Sequence, residues 1–143
     1  MKTTKNVLVL CTGNSCRSQI AHGWLSYFTG GTVNIYSAGI ETHGVNLKAI
    51  ATMAEEGIDL SNHTSNLVDE YKDIDFDFIL TVCDHAAENC PVIPSKNAIT
   101  IHHNFTDPSK LKGTEDEVKA AFRSTREEIK LYCKDFAKSN LAG

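Results

Sequence analysis

The 143-residue sequence predicts an α/β fold, a three-layer sandwich with a central four-stranded parallel sheet flanked by helices. Three observations predict it. Short apolar runs alternate along the chain with longer segments whose apolar residues recur at helical spacing. Strands that alternate with helices imply crossover connections, which make the sheet parallel and lay helices on its faces. The length suits one compact domain, and no repeat, low-complexity segment or Pro/Gly/Ser linker divides it, so residues 1–143 read as a single domain.

Residues 7–10, VLVL, read as a buried strand. A helix follows from Ser18 to about Phe28, with Ile20, Trp24 and Phe28 (or Tyr27) at helical spacing and Gly30-Gly31 at its end. Residues 33–37 form a second strand, closed by Ala38-Gly39. Asn46 caps a helix over 47–56 that turns Ile50, Met53 and Ala54 inward and stops at Gly57. A short helical piece is expected near 67–71, a strongly apolar strand over 76–82, and a short strand over 98–102. After a polar loop over 104–112, Thr114 caps the last helix with Glu117 in capping-box spacing. Val118, Phe122, Thr125, Ile129, Tyr132 and Phe136 form one stripe of that helix. In such a sheet, ligands bind beyond the carboxyl ends of the strands. Cys11 and Cys83 each follow a strand, so two cysteines distant in sequence are expected at one sheet edge.

Composition narrows the function classes. The net charge of −4 argues against a nucleic-acid partner, and the longest apolar runs are far too short to span a bilayer. The basic N-terminus is followed by no long apolar stretch with a small-residue cleavage site, so no signal peptide is expected and the chain reads as cytoplasmic. Five cysteines, Cys11, Cys16, Cys83, Cys90 and Cys133, are an odd number without a secretion signal, which points away from a structural disulfide framework. Reduced cysteines are buried, metal-bound or chemically active. The spacings C-x4-C and C-x6-C, with no H-x3-5-H pair, do not suit zinc, so no metal site is expected.

The segment CTGNSCRSQ, residues 11–19, has the logic of an oxyanion cradle. A strand ends, Gly13 and Asn14 permit a sharp turn, and a helix begins at about Arg17 or Ser18. The amides of Thr12, Gly13, Asn14, Ser15, Cys16, Arg17 and Ser18 can then converge on a tetrahedral anion at the helix N-terminus. Arg17 adds a planar fork for two oxyanion oxygens. The same field favours a Cys11 thiolate, to which the Ser18 hydroxyl can donate, so an anionic nucleophile sits beneath a bound anion. The C-x5-R spacing alone also fits a buried structural thiol beside a surface cation. The preceding strand, the Gly-Asn turn and the following helix favour the cradle. Cys16 reads as a packing thiol whose contribution is its backbone amide, and Cys133 as a packing residue.

The segment CTGNSCRSQ resembles the phosphate-binding loop of the low-molecular-weight protein tyrosine phosphatase fold. More narrowly, it resembles the thioredoxin-coupled arsenate reductases built on that fold. The likeness extends through YSAGIETHGVN at 36–46, IDLSNHTS at 58–65, VCDHAAENCPVIP at 82–94 and Asp107-Pro108. A phosphatase of this fold needs Cys11, Arg17 and a general acid, but has no use for Cys83 and Cys90. Reduction of arsenate to arsenite takes two electrons, which two thiols supply on forming a disulfide. The resemblance implies Cys11 as nucleophile, Asp107 as general acid, a Cys11–Cys83 disulfide as intermediate and a Cys83–Cys90 disulfide as the final oxidised form. It further implies no bound cofactor, reduced thioredoxin as electron donor, and a monomer. Were 84–89 helical, the Cys83 and Cys90 Cα atoms would lie about 10 Å apart, whereas a disulfide needs roughly 4.4–6.8 Å. The segment is therefore expected to rearrange when the bond closes.

Members of the reductase family often hold a structural potassium ion near the loop, partly through acidic side chains. This chain has His22 and Asn66 at the matching positions, with Asn14, Ser37 and Thr64 left as oxygen donors. Little specific potassium stimulation is expected. Two competing readings are a phosphatase of the same fold and a cysteine phosphocarrier. Ser109 and Lys110 follow Asp107-Pro108, so the aromatic cleft of a phosphotyrosine enzyme is not evident; a phosphocarrier requires neither Arg17 with Asp107 nor a thiol relay.

Overall fold

The computed structural model describes residues 5–11, 16–40, 42, 44–82, 98–103, 105, 108 and 111–141. Strand β1 (Asn6–Cys11) leads to helix α1 (Arg17–Thr29), strand β2 (Asn34–Gly39) and helix α2 (Leu47–Ala54). A 3₁₀ turn over Val68–Tyr71 precedes strands β3 (Phe78–Thr81) and β4 (Ile99–His102). Helix α3 (Glu115–Phe136) continues into a π-type turn over Ala137–Leu141. The strands form one parallel sheet in the order β2-β1-β3-β4.

Alternation along β1 divides the core in two. Val7, Val9 and Cys11 face a cluster that holds Ile20, Trp24 and Leu25 of α1, Ala49 and Met53 of α2, and Phe122, Ile129 and Cys133 of α3. Leu8 and Leu10 face the other side, where Ala38, Phe76 and Ile79 pack with Tyr36, Val68 and Tyr71. A central strand buried on both faces explains why residues 7–10 carry no polar side chain.

The caps fall where the side chains can make them. Asn46 Oδ1 accepts from the amides of Lys48 and Ala49 at 2.8 and 3.2 Å. Thr114 and Glu117 close a reciprocal capping box at 3.2 and 3.1 Å. Gly30 ends α1 in the left-handed conformation, φ 58°, with its amide on Ser26 O. Three boundaries differ from expectation by two residues. Strand β2 runs through Ala38 and Gly39, because its ladder with β1 continues to the Cys11–Gly39 pair. Helix α2 stops at Ala54, and its buried residues are Ala49, Thr52 and Met53 while Ala54 is exposed. Its inward face is set by α3, where Arg126 Nη1 donates to Thr52 O at 2.9 Å. Strand β3 begins at Phe78, since Phe76 turns its ring onto Tyr36 at 5.5 Å before the ladder starts. No helix among the described residues is long and apolar enough to cross a membrane.

Candidate active site

The carboxyl edge of the sheet carries Cys11. Cys11 is the last residue of β1, buried at 4% exposure. The neighbouring chain passes beside it, for the amide of Val82 donates to Leu10 O at 2.9 Å. Val82 is the residue before Cys83. Residues 12–15 separate Cys11 from Cys16, which stands at the N-cap of α1 with its carbonyl accepting from Ile20 at 2.9 Å.

Arg17 is the first residue of α1, and it is buried at 5% exposure. A buried guanidinium is held by hydrogen bonds rather than by water. Its Nη1 donates to the carbonyl of Phe105 at 3.1 Å, across 88 positions of sequence. Ser18 and Gln19, next on the helix, are fully buried. Thr12, Gly13, Asn14, Ser15, Cys83, Cys90 and Asp107 lie outside the described residues.

Beneath the start of α1 runs a polar network. Gln19 Nε2 donates to Thr64 O at 3.0 Å, which leaves its Oε1 as acceptor toward His63 Nδ1, also at 3.0 Å. His63 therefore carries its proton on Nδ1. Its ring lies 4.5 Å from that of His22, whose Nδ1 is 2.9 Å from the Ser37 hydroxyl. Burial, reinforced by His63, lowers the His22 pKa to about 4. Burial also lowers His63, against an opposing pull from Asp59. Both imidazoles are neutral near pH 7. Farther along, Thr64 Oγ1 donates to Asn66 Oδ1 at 2.8 Å, and Asn66 Nδ2 donates to Glu70 at 3.0 Å.

This network does not suit a hard cation. His22, where a carboxylate would attract potassium, is a neutral ring engaged with Ser37, and the Thr64 and Asn66 oxygens are bonded to each other. No cluster of three or more His, Cys, Asp or Glu side chains able to hold a metal occurs among the described residues.

Cys133 is removed from this edge. It is fully buried in α3 with Sγ 3.8 Å from Ala21 O, and burial drives its pKa far above the ordinary thiol range. A thiol held protonated is a poor nucleophile. Sequence reasoning missed Phe105 as a partner of Arg17, because a backbone carbonyl carries no side-chain signature. It also missed Gln19 and His63, whose meeting depends on how residues 58–66 fold back over α1. His22 and Ser37 were legible through the resemblance, as positions around the family's potassium site, but not as partners of each other.

The chain is similar to proteins already known. A family model described as low molecular weight phosphotyrosine protein phosphatase matches residues 6–142. A protein named arsenate reductase from Halalkalibacterium halodurans is 47% identical over 135 residues, 94% of this chain and 96% of that one. A second of that name, from Bacillus subtilis (strain 168), is 44% identical over the same shares of the two chains. Among solved structures, one described as an arsenate reductase in oxidized state superposes with a TM-score of 0.81 at 27% identity, covering 95% of this chain and 98% of that one. Wzb of Vibrio vulnificus, in complex with benzylphosphonate, shares the fold with a TM-score of 0.78 at 22% identity, covering 96% of this chain and 99% of that one. With a buried cysteine ending β1, a buried arginine opening α1 and this likeness over nearly its whole length, the chain belongs to the low molecular weight phosphotyrosine protein phosphatase family.

Proposed function

We propose that this protein reduces arsenate to arsenite through a relay of Cys11, Cys83 and Cys90, in the cytoplasm, as a monomer, with thioredoxin restoring the thiols. One observation carries the reading beyond a phosphatase. Val82 is bonded to β1 beside Cys11, and the next residue in the sequence is a second cysteine. Hydrolysis of a phosphate ester has no use for that neighbour; a two-electron reduction does. The names of the relatives at 44–47% identity support the same substrate.

The steps follow from the residues. The loop amides of residues 12–18 and the Arg17 fork hold the tetrahedral arsenate and stabilise charge that builds on it. The Cys11 thiolate attacks arsenic, and Asp107 protonates the oxygen that leaves as water. The Cys83 thiolate then attacks Cys11 sulfur. A sulfur–sulfur bond forms, the electron pair of the sulfur–arsenic bond stays on arsenic, and arsenite departs. Cys90 attacks Cys83, releases Cys11 as thiolate and carries the disulfide away from the pocket. A dithiol donor reduces Cys83–Cys90 by the same exchange.

The test is a coupled assay with arsenate, thioredoxin, thioredoxin reductase and NADPH, followed by NADPH consumption. The wild-type protein is expected to turn over. Cys83→Ser and Cys90→Ser are each expected to stop turnover while keeping weak phosphatase activity on an aryl phosphate, and Cys11→Ser to lose both. A wild-type protein that consumes no NADPH with arsenate, yet hydrolyses the aryl phosphate, would establish the phosphatase reading instead.

A further inference from the structure

We propose that Phe105, clamped within a cluster of three rings, is a positioning residue for Arg17, its backbone carbonyl orienting the guanidinium that grips the oxyanion. The inference rests on the oxyanion-binding role proposed for Arg17. A guanidinium is a rigid planar fork, so anchoring one N–H on a group already tethered to the helix by its side chain narrows the directions open to the others. The Phe105 carbonyl fixes Nη1 at 3.1 Å. A carbonyl in a connecting loop can serve this way only if the loop itself cannot drift.

Ring contacts with α3 and a backbone bond to β3 hold it. The Phe105 ring is buried at 2% exposure and meets Tyr132 of α3 edge-on, centroids 5.6 Å apart. The His103 ring lies 4.5 Å from Phe105 and 4.6 Å from Tyr132, closing a triangle. The His103 amide donates to Thr81 O at 2.9 Å, which extends the β3–β4 ladder by one residue and ties the chain two residues before Phe105 to the sheet. Helix α3 and the sheet thus reach Arg17 through one carbonyl. Burial of Phe105 alone is ordinary core packing. Its bond to a buried arginine at the head of α1 is what assigns it a task.

The experiment uses inorganic phosphate as the probe, its Kd read by NMR titration of the reduced protein. His103→Ala is the first variant, because that ring is exposed and its loss opens no core cavity. Tyr132→Leu is the second. Each is expected to weaken phosphate binding about tenfold with little change in Tm. The conservative Tyr132→Phe and His103→Phe keep a ring and are expected to restore binding. In an Arg17→Lys background, His103→Ala is expected to add less than about twofold, because the interaction it acts through is already gone. Unchanged phosphate binding in the folded variants, or full additivity with Arg17→Lys, overturns the proposal. A wild-type protein that binds no phosphate overturns it together with the oxyanion reading. Phosphate binding that behaves as described in a protein inactive on arsenate overturns only the reductase reading.

Discussion

His22 shows at the residue scale how a single buried base links the site to pH. Desolvation, with help from His63, lowers its pKa from 6.5 to about 4 in the folded protein. Between those values the unfolded chain binds a proton that the folded chain refuses. Stability therefore rises with pH through this window, is fully present above 6.5, and is lost as pH falls toward 4. The groups facing His22 are Ser37, bonded to its Nδ1, and His63, itself near Asp59. His63 is lowered too and adds loss of the same sign. Denaturant unfolding at about pH 7 and about pH 5 is expected to differ by roughly 2 kcal/mol on account of His22. His22→Asn, which keeps a polar partner for Ser37, should abolish most of that difference. An equal pH dependence in the variant would show that His22 is solvated and titrates normally.

At the element scale, the proposed relay makes a demand on the segment between Cys83 and Cys90. Were 84–89 helical, the two Cα atoms would lie about 10 Å apart, a gap that no disulfide bridges without backbone movement. Ala86, Ala87, Glu88 and Asn89 lend such a segment little packing, and Pro91 prevents a helix from running on. Amide hydrogen exchange of the reduced and oxidised protein is expected to differ over 84–90 and to match across β1 and α3; identical exchange over 84–90 would argue against the relay. The elements that position the site were legible because their signals are local. Asn46, Thr114 with Glu117, and Gly30 each announced a helix end, and the VLVL run announced a strand buried on both faces. Element ends set by tertiary pairing were not legible. Nothing in Ala38-Gly39 by itself says that the ladder with β1 runs on to Cys11, and nothing in Thr52 says that Arg126 will draw it inward.

The same division between local and tertiary signals runs through the whole molecule. Cys11, Arg17 and the helix that starts at Arg17 could be read from one stretch of nine residues, whereas the polar network beside α1 is assembled from α1, β2 and the 63–70 segment. That network carries a prediction about ions. A hard monovalent cation needs oxygen ligands, preferably charged. Here the facing groups are a neutral His22 bonded to Ser37 and a Thr64 hydroxyl spent on Asn66. The nearest carboxylate in this chain of bonds, Glu70, accepts from Asn66 and from the Leu67 amide, and those bonds hold its pKa below the ordinary range. Hydrogen bonds within the protein thus supply the cohesion that a cation would otherwise provide, and an entering ion would have to break them without gaining a free carboxylate. Arsenate turnover in potassium chloride and in sodium chloride at equal ionic strength is therefore expected to be the same within experimental error, and so is Tm. A gain confined to potassium would mean that the Ser37 and Thr64 oxygens rearrange toward an ion and that the neutral network yields to it.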